Sequence, residues 1–581
     1  MHGMCRSSSG YGCGLSIVLL QLAYSIEIWI SNVTTSNNWA WNGANIFLYG
    51  KDCTNSSFRI ENTVSLHGRG NRGTGLLFQW DSSTDSYLCA RERISHQIVL
   101  IDSSQFATNT AMQRSAVEVS THSSLMVSNQ ISATGYHFVL RNSSIVFNTI
   151  LIATQHSATF NFTGNGKALF QNVNISHNSY STSAGFILGT VTPSPKILGV
   201  HKSDGGSLSL DCLNCNFSHN TNATVLELIN GSLSIRFQGT TIFAKNINAM
   251  KRSILYLVSV SLQFIGITKF VGNGNSGGIY STASSLSFEG NTLFRGNKNV
   301  FKLQSGGAID ATLYSKLYFI SNTSFEENEA EFGGAIAIDT ETQIYVQGSM
   351  NFQNNRAIYG GAMSIMPKCY IQSISPTQIN FFQNTASVYG GGIYAVAGDL
   401  SRGAPFCFIQ LWQVNLTTDY IQMVFNYNKA GVAGSALFGG YLDQCLSLTI
   451  GFYPIRGSEL SEYHFHFKAN DSDLSVVSSD PYRFCICEVK QPQCQILDYN
   501  TTVYPGEMFT LSLIAVGQMF GAIPATVLAK LLSEDSSGGE YINRADVTKQ
   551  PASARQNSNK VLRATTTNLV ASLGVNSPRE N

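Results

Sequence analysis

The residues able to do chemistry in this chain are cysteines, scattered histidines and a thin supply of acids. Beyond Cys5 and Cys13, ten cysteines remain: Cys53, Cys89, Cys212, Cys215, Cys369, Cys407, Cys445, Cys485, Cys487 and Cys494. Two chemistries compete for them, thiolate metal binding and disulfide pairing. Cys212-x-x-Cys215 has a zinc-knuckle spacing, but no second C-x-x-C and no H-x-x-x-H follows nearby. Cys485-x-Cys487 with Cys494 lacks a suitably spaced histidine downstream; His464 and His466 lie upstream and share one side of a strand. The even number favours disulfides formed in an oxidising compartment. Cys53 with Cys89, Cys212 with Cys215, Cys369 with Cys407, and Cys485 or Cys487 with Cys494 are the candidate pairs, and spacing leaves the connectivity open.

Acid–base chemistry finds little material. A glycoside hydrolase needs two carboxylates facing each other across the scissile bond. Asp310 follows Gly306 by four residues and Asp339 follows Gly333 by six, so the two are out of register. Glu326 and Glu327 sit beside an apolar Phe325 and read as a solvated turn. His177 and His219 recur in the similar contexts ISHN and FSHN, which points to stacking between repeats rather than catalysis. No G-x-S-x-G, H-E-x-x-H or phosphate-binding loop is present. No catalytic residue, metal or cofactor is therefore expected.

The elements that would position these side chains follow from a repeat. The segments FEENEAEFGGAIAI, FQNNRAIYGGAMSI and FFQNTASVYGGGIYAV are versions of one unit with two marks. One mark is F-x-x-N, carried by Phe325 and Asn328, Phe352 and Asn355, and Phe381 and Asn384. The other is a glycine pair, Gly333–Gly334, Gly360–Gly361 and Gly390–Gly391. A spacing of 27 residues separates Gly306 from Gly333 and Gly333 from Gly360. A period of that size means a solenoid, propeller or array. The alternation in GGAIAIDTETQIYVQGSMNF, with no long helical period, predicts short strands joined by turns. Stacked units then make a right-handed parallel β-helix, an all-β fold. Phe points inward and stacks from rung to rung. Asn satisfies backbone groups at a turn and bonds the Asn of the next rung. The glycine pair supplies a tight corner. At roughly 27 residues per rung and about 4.8 Å per step, residues 45–445 predict a rod of about 70 Å.

Composition agrees and bounds the partners. The 36 Lys+Arg against 35 Asp+Glu leave a net charge of +1, too little basic excess for a nucleic-acid partner. Only 12% of residues are charged, yet 43% are hydrophobic and 11% aromatic, which excludes a disordered chain.

The compartment reads as extracellular. Arg6, the apolar run LSIVLLQLA and small residues at Ala23 and Ser25 make residues 1–25 a signal peptide. Sequons begin at Asn32, Asn55, Asn142, Asn161, Asn174, Asn216, Asn222, Asn230, Asn322, Asn415, Asn470 and Asn500. Their spread along the chain suits a secreted or cell-surface glycoprotein. No later apolar run reaches membrane-spanning length. No membrane insertion is expected in this chain.

The GGA[ILV] and F-x-x-N marks resemble the repeats of chlamydial polymorphic outer-membrane proteins, whose passenger regions are parallel β-helices. They equally resemble large predicted extracellular β-helix proteins of early-branching animals. The likeness is clear over 215–440 and weaker over 140–215. The tail LDYNTTVYPGEMFTLSLIAVGQMFGAIPATV resembles the module that follows the β-helix in the animal proteins, where a membrane span often comes later, so a longer form could carry one. The resemblance implies fold and compartment and carries no activity.

Five segments result: the signal peptide at 1–25, an N-terminal cap with irregular first rungs at 26–140, β-helix repeats at 141–445, a small β-sandwich-like module at 446–530, and a disordered tail at 531–581. The expected function is that of a non-catalytic structural or adhesive protein presenting its β-helix surface to glycans or extracellular proteins. A β-helix polysaccharide lyase or hydrolase is the alternative.

Overall fold

The structure is a computed structural model. It describes most of residues 26–439, apart from connecting segments such as 83–96, 124–135, 181–195, 396–408 and 412–420, together with Leu15–Leu20 and isolated strands between 465 and 563. The chain divides into two units, Met1–Ser324 and Phe325–Asn581. Among the described residues each contains stacked rungs of a parallel β-helix.

One rung of the first unit shows the plan. Strand Tyr136–Arg141 ends at Asn142, whose φ is 48°. The short strand Ser144–Val146 follows and ends at Phe147, with φ 55°. Asn148 then turns inward, Thr149–Ile150 forms a brief third strand, and Ala158–Gly164 closes the rung on the facing sheet. Two left-handed residues thus give the two corners that let short strands wind into a coil. The next rung repeats the plan in one-to-one parallel register, with Tyr136–Arg141 against Gly166–Gln171 and Ser144–Val146 against Asn174–Ser176.

The period of two then sorts side chains. Phe138, Leu140, Phe170, Leu210, Phe237, Leu262, Phe264, Leu286 and Phe288 are buried, and the residues between them face outward. Phe237, Phe264, Phe288 and Phe319 stack at 5.2, 5.0 and 5.0 Å. A second file, Phe217, Phe243, Phe270 and Phe294, stacks at 5.1, 4.7 and 4.7 Å and meets the first edge-on. Each buried ring contributes roughly 1.5–3 kcal/mol by leaving water.

The inward asparagines form a continuous ladder. Asn109, Asn148, Asn178, Asn220, Asn246, Asn273 and Asn297 each pass an Nδ2 hydrogen bond to the next Oδ1, at 2.8–3.1 Å. The same Oδ1 also accepts the backbone N–H of the preceding rung's asparagine. The second Nδ2 hydrogen reaches a backbone carbonyl one rung earlier, as from Asn246 to Phe217.

The second unit uses the same parts. Phe325, Phe352, Phe381 and Phe425 stack at 4.8, 4.9 and 4.6 Å. Asn328, Asn355, Asn384 and Asn428 continue donor to acceptor at 2.9–3.0 Å. Gly360 takes φ +70°, and a Cβ there would lie 2.0 Å from the Met363 carbonyl oxygen. At Gly361 a Cβ would lie 2.2 Å from the Gly391 oxygen, so the pair serves both a corner and a close rung-to-rung approach.

Two segments differ from the sequence-based division. Regular rungs start at Ile26, not at 141: Ile26–Ser31, Ser56–Glu61, Gln97–Asp102 and Tyr136–Arg141 pair in register. Beyond 445, Phe465–Ala469 pairs in parallel with Ile421–Phe425, and Val477–Ser479 with Leu437–Gly439, which adds another rung. Among the described residues antiparallel pairs appear only after that, such as Phe484–Glu488 with Leu511–Ala515. Leu15–Leu20, the apolar heart of the expected signal peptide, is a strand paired with Ile46–Lys51.

Candidate functional site

On a rung the reactive side chains are those at outward strand positions and at the exposed corners. Three groups in the first unit merit comparison, of which the second includes the buried Glu227.

The first is a carboxylate pair. Glu61 and Asp102 are register partners on adjacent strands, about 4.8 Å apart along the helix. Each is neutralised by an arginine: Arg59 Nε donates to Glu61 Oε1 at 2.5 Å, and Arg141 Nε to Asp102 Oδ2 at 2.8 Å. Burial alone would raise the Asp102 carboxyl, but hydrogen bonds from Arg141, Asn142 and Ser103 outweigh it and hold it below the usual carboxylate range. That is the opposite of what a general acid needs. Exposed Trp29 lies alongside, with the Arg59 guanidinium 5.4 Å from its ring centre. Sequence reasoning missed this pair because it read 26–140 as irregular. The signal was there, in the shared pattern of ENTVSLHG, DSSQFATN and RNSSIVFN.

The second is the file Glu227, Tyr256, Tyr280 and Asp310 on the facing sheet. The two tyrosine rings stack at 5.0 Å. Burial, then Asp310 and Tyr256, push the Tyr280 hydroxyl up to about 12. Three strand steps, about 14 Å, separate the two carboxylates. That is too far for either glycosidase geometry.

The third is an exposed corner file of Phe147, His177, His219 and Lys245, all left-handed residues. Phe147 and His177 stack at 4.7 Å, and His177 and His219 at 4.6 Å with planes 3° apart. Slight burial, then His177 and Lys245, hold the His219 imidazole below its ordinary value.

Of the candidate pairs, Cys212 with Cys215 is not bonded. Cys212, Cys215 and Cys369 are free, buried thiols. Cys212 fills an inward position between Phe170 and Phe237 in a file of apolar side chains. Burial and then the adjacent Cys215 thiol push Cys212 well up, and burial pushes Cys369 to about 12. Such thiols are poor nucleophiles. Cys485 and Cys487 lie in the strand Phe484–Glu488, known by its backbone alone. Cys53, Cys89, Cys407, Cys445 and Cys494 lie outside the described residues. No group of three or more His, Cys, Asp or Glu is placed to hold a metal among the described residues.

Of the sequon asparagines, Asn32, Asn142 and Asn322 are exposed, while Asn174, Asn216 and Asn222 are half-buried. Asn161 and Asn500 lie in strands described only by backbone, and Asn55, Asn230, Asn415 and Asn470 lie outside the described residues. Asp339 stays in a turn, accepting a hydrogen bond from the Thr340 N–H.

Neither protein-family models, nor curated proteins, nor solved structures yield a match to this chain.

Proposed function

We propose that this chain is a non-catalytic, extracellular structural or adhesive glycoprotein that presents a β-helix surface to glycans or other extracellular proteins. The observation that carries this reading is the character of the outward side chains. They are hydroxyls, amides and rings held at fixed spacing, and the in-register carboxylate pair is tied up by arginines. A rigid, repetitive, low-charge face suits many weak contacts along an extended partner. The secretory reading of residues 1–25 and the twelve sequons supports the compartment. The resemblance to chlamydial outer-membrane passenger repeats and to animal extracellular β-helix proteins supports the same class.

One observation favours the enzyme reading: Glu61 and Asp102 stand one strand apart, close to the separation of a retaining glycosidase pair. A glycan array run beside a polysaccharide-degradation assay separates the two. Binding without turnover supports the adhesive reading. Turnover lost in Glu61→Gln or Asp102→Asn ends it.

A further inference from the structure

We infer that the corner file His177–His219–Lys245 is a binding site for a linear anionic polysaccharide, engaged more strongly in mild acid. This deepens the adhesive reading and rests on it.

The file is fixed by the backbone. Each residue immediately precedes a buried ladder asparagine and takes φ 56°, 55° or 52°. Each backbone N–H is bonded to the following rung: His177 to Ser218, His219 to Ala244 and Lys245 to Val271, at 3.0, 2.9 and 2.8 Å. The three basic side chains therefore project from successive rungs in one exposed line. Phe147 and His219 flank His177, and His177 and Lys245 flank His219. None of the three bases has an ion-pair partner among the described residues. Asp211, on the neighbouring strand, is bonded to Arg236.

Geometry excludes a shared metal ion. The imidazole planes are 3° from parallel with ring centres 4.6 Å apart, so the two rings cannot both aim an in-plane nitrogen lone pair at one ion. Two metal–nitrogen bonds of about 2.0–2.1 Å cannot span that gap. A row of separate anionic groups fits instead. Beside the row, the outward hydroxyls Thr149, Ser179 and Thr221 lie in register on the rungs of Phe147, His177 and His219, and Ile247 takes that position on the rung of Lys245. A polymer carrying both sulfate or carboxylate groups and hydroxyls matches the two files side by side.

Acid dependence follows from charge. Slight burial, the stacked His177 and the neighbouring Lys245 hold the His219 imidazole below its ordinary value, because a like charge beside it disfavours the protonated form. An anion against the file favours the imidazolium forms, so binding and proton uptake reinforce each other.

The test uses the full chain, with N-glycans trimmed because Asn174 and Asn216 border the file. The probes are a heparin oligosaccharide and a neutral chitin oligosaccharide, measured at about pH 8 and about pH 5.5. Heparin should bind roughly tenfold more tightly at the lower pH, and added salt should weaken it. His177→Gln with His219→Gln should remove the pH dependence, and Lys245→Gln should weaken binding at both values. If the double variant melts early, His177→Gly with His219→Gly replaces it, since Gly272 and Gly296 fill this corner in later rungs. Heparin binding that ignores pH, or survives the double variant unchanged, overturns the inference. Chitin binding without heparin binding overturns it while leaving the adhesive reading intact. Binding of neither overturns it and removes the glycan branch of that reading.

Discussion

Asn355 shows why one residue type recurs at one position. Its Nδ2 donates to Asn384 Oδ1 and to the Phe325 carbonyl, and its Oδ1 accepts from the Asn328 backbone N–H and Nδ2. Only an uncharged amide both donates twice and accepts twice. Asn355→Ala would remove these four hydrogen bonds from a dry interior. The expected cost is about 3 kcal/mol, read as a fall in the urea midpoint. Arg141 is a second case. Its guanidinium and the Asn142 amide hold the Asp102 carboxylate in its charged form. A carboxyl depressed in the folded state contributes stability above its unfolded value near 3.9 and loses it as pH falls through the folded value. Arg141→Leu should therefore cost about 1 kcal/mol at neutral pH, with the Asp102 carboxylate deprived of its guanidinium partner. The gap to wild type should close in acid, where the Asp102 carboxyl is protonated. A gap that persists below about pH 2 would assign Arg141 a packing role only.

At the scale of the element, the corner decides whether a strand can reach its neighbour. Strands Arg356–Tyr359 and Met363–Ile365 are separated by Gly360, Gly361 and Ala362. Gly360 holds the left-handed φ, and Gly361 lets the next rung's carbonyl approach. Gly360→Ala must strain φ and push against the Met363 carbonyl, at a cost of at least about 2 kcal/mol. The loss should appear in thermal unfolding and as faster amide exchange at Ala362 and Met363, which donate to the Gly392 carbonyl. An unchanged melting temperature would mean that this corner tolerates rebuilding.

For the whole molecule the concern is edges. Stacked parallel strands leave an open ladder wherever stacking stops. In the second unit Ile421–Asn426 is covered by Phe465–Ala469, and Leu437–Gly439 by Val477–Ser479. Deleting residues 446–581 would uncover both strands and leave their N–H and C=O groups free to template other chains. Oligomers or aggregates should then form, seen by light scattering, while the full chain stays dispersed. A monomeric truncation with the same melting temperature would show that the later segment is only a spacer.

The sequence by itself determined the class of fold and its most regular part. F-x-x-N and the glycine pair recur where steric and hydrogen-bond demands admit almost no substitute, so the rungs around Phe325, Phe352 and Phe381 were legible. The same rung plan in 26–140 was not, for two physical reasons. A core file accepts any apolar side chain that fills it, so Ile60, Ile101 and Leu140 stand where the next rung has Phe170. Loop closure costs little more for long loops than short ones, so the register partners Ile30, Ile60, Ile101 and Leu140 lie 30, 41 and 39 residues apart there, against 27 and 29 between Asn328, Asn355 and Asn384. His177 and His219 were legible as a stacking pair from their matching contexts. Their continuation to Phe147 and Lys245, and the meeting of Glu61 with Asp102, needed tertiary structure. Neighbours across rungs are set by strand register, and register is fixed by the buried files rather than by distance along the chain.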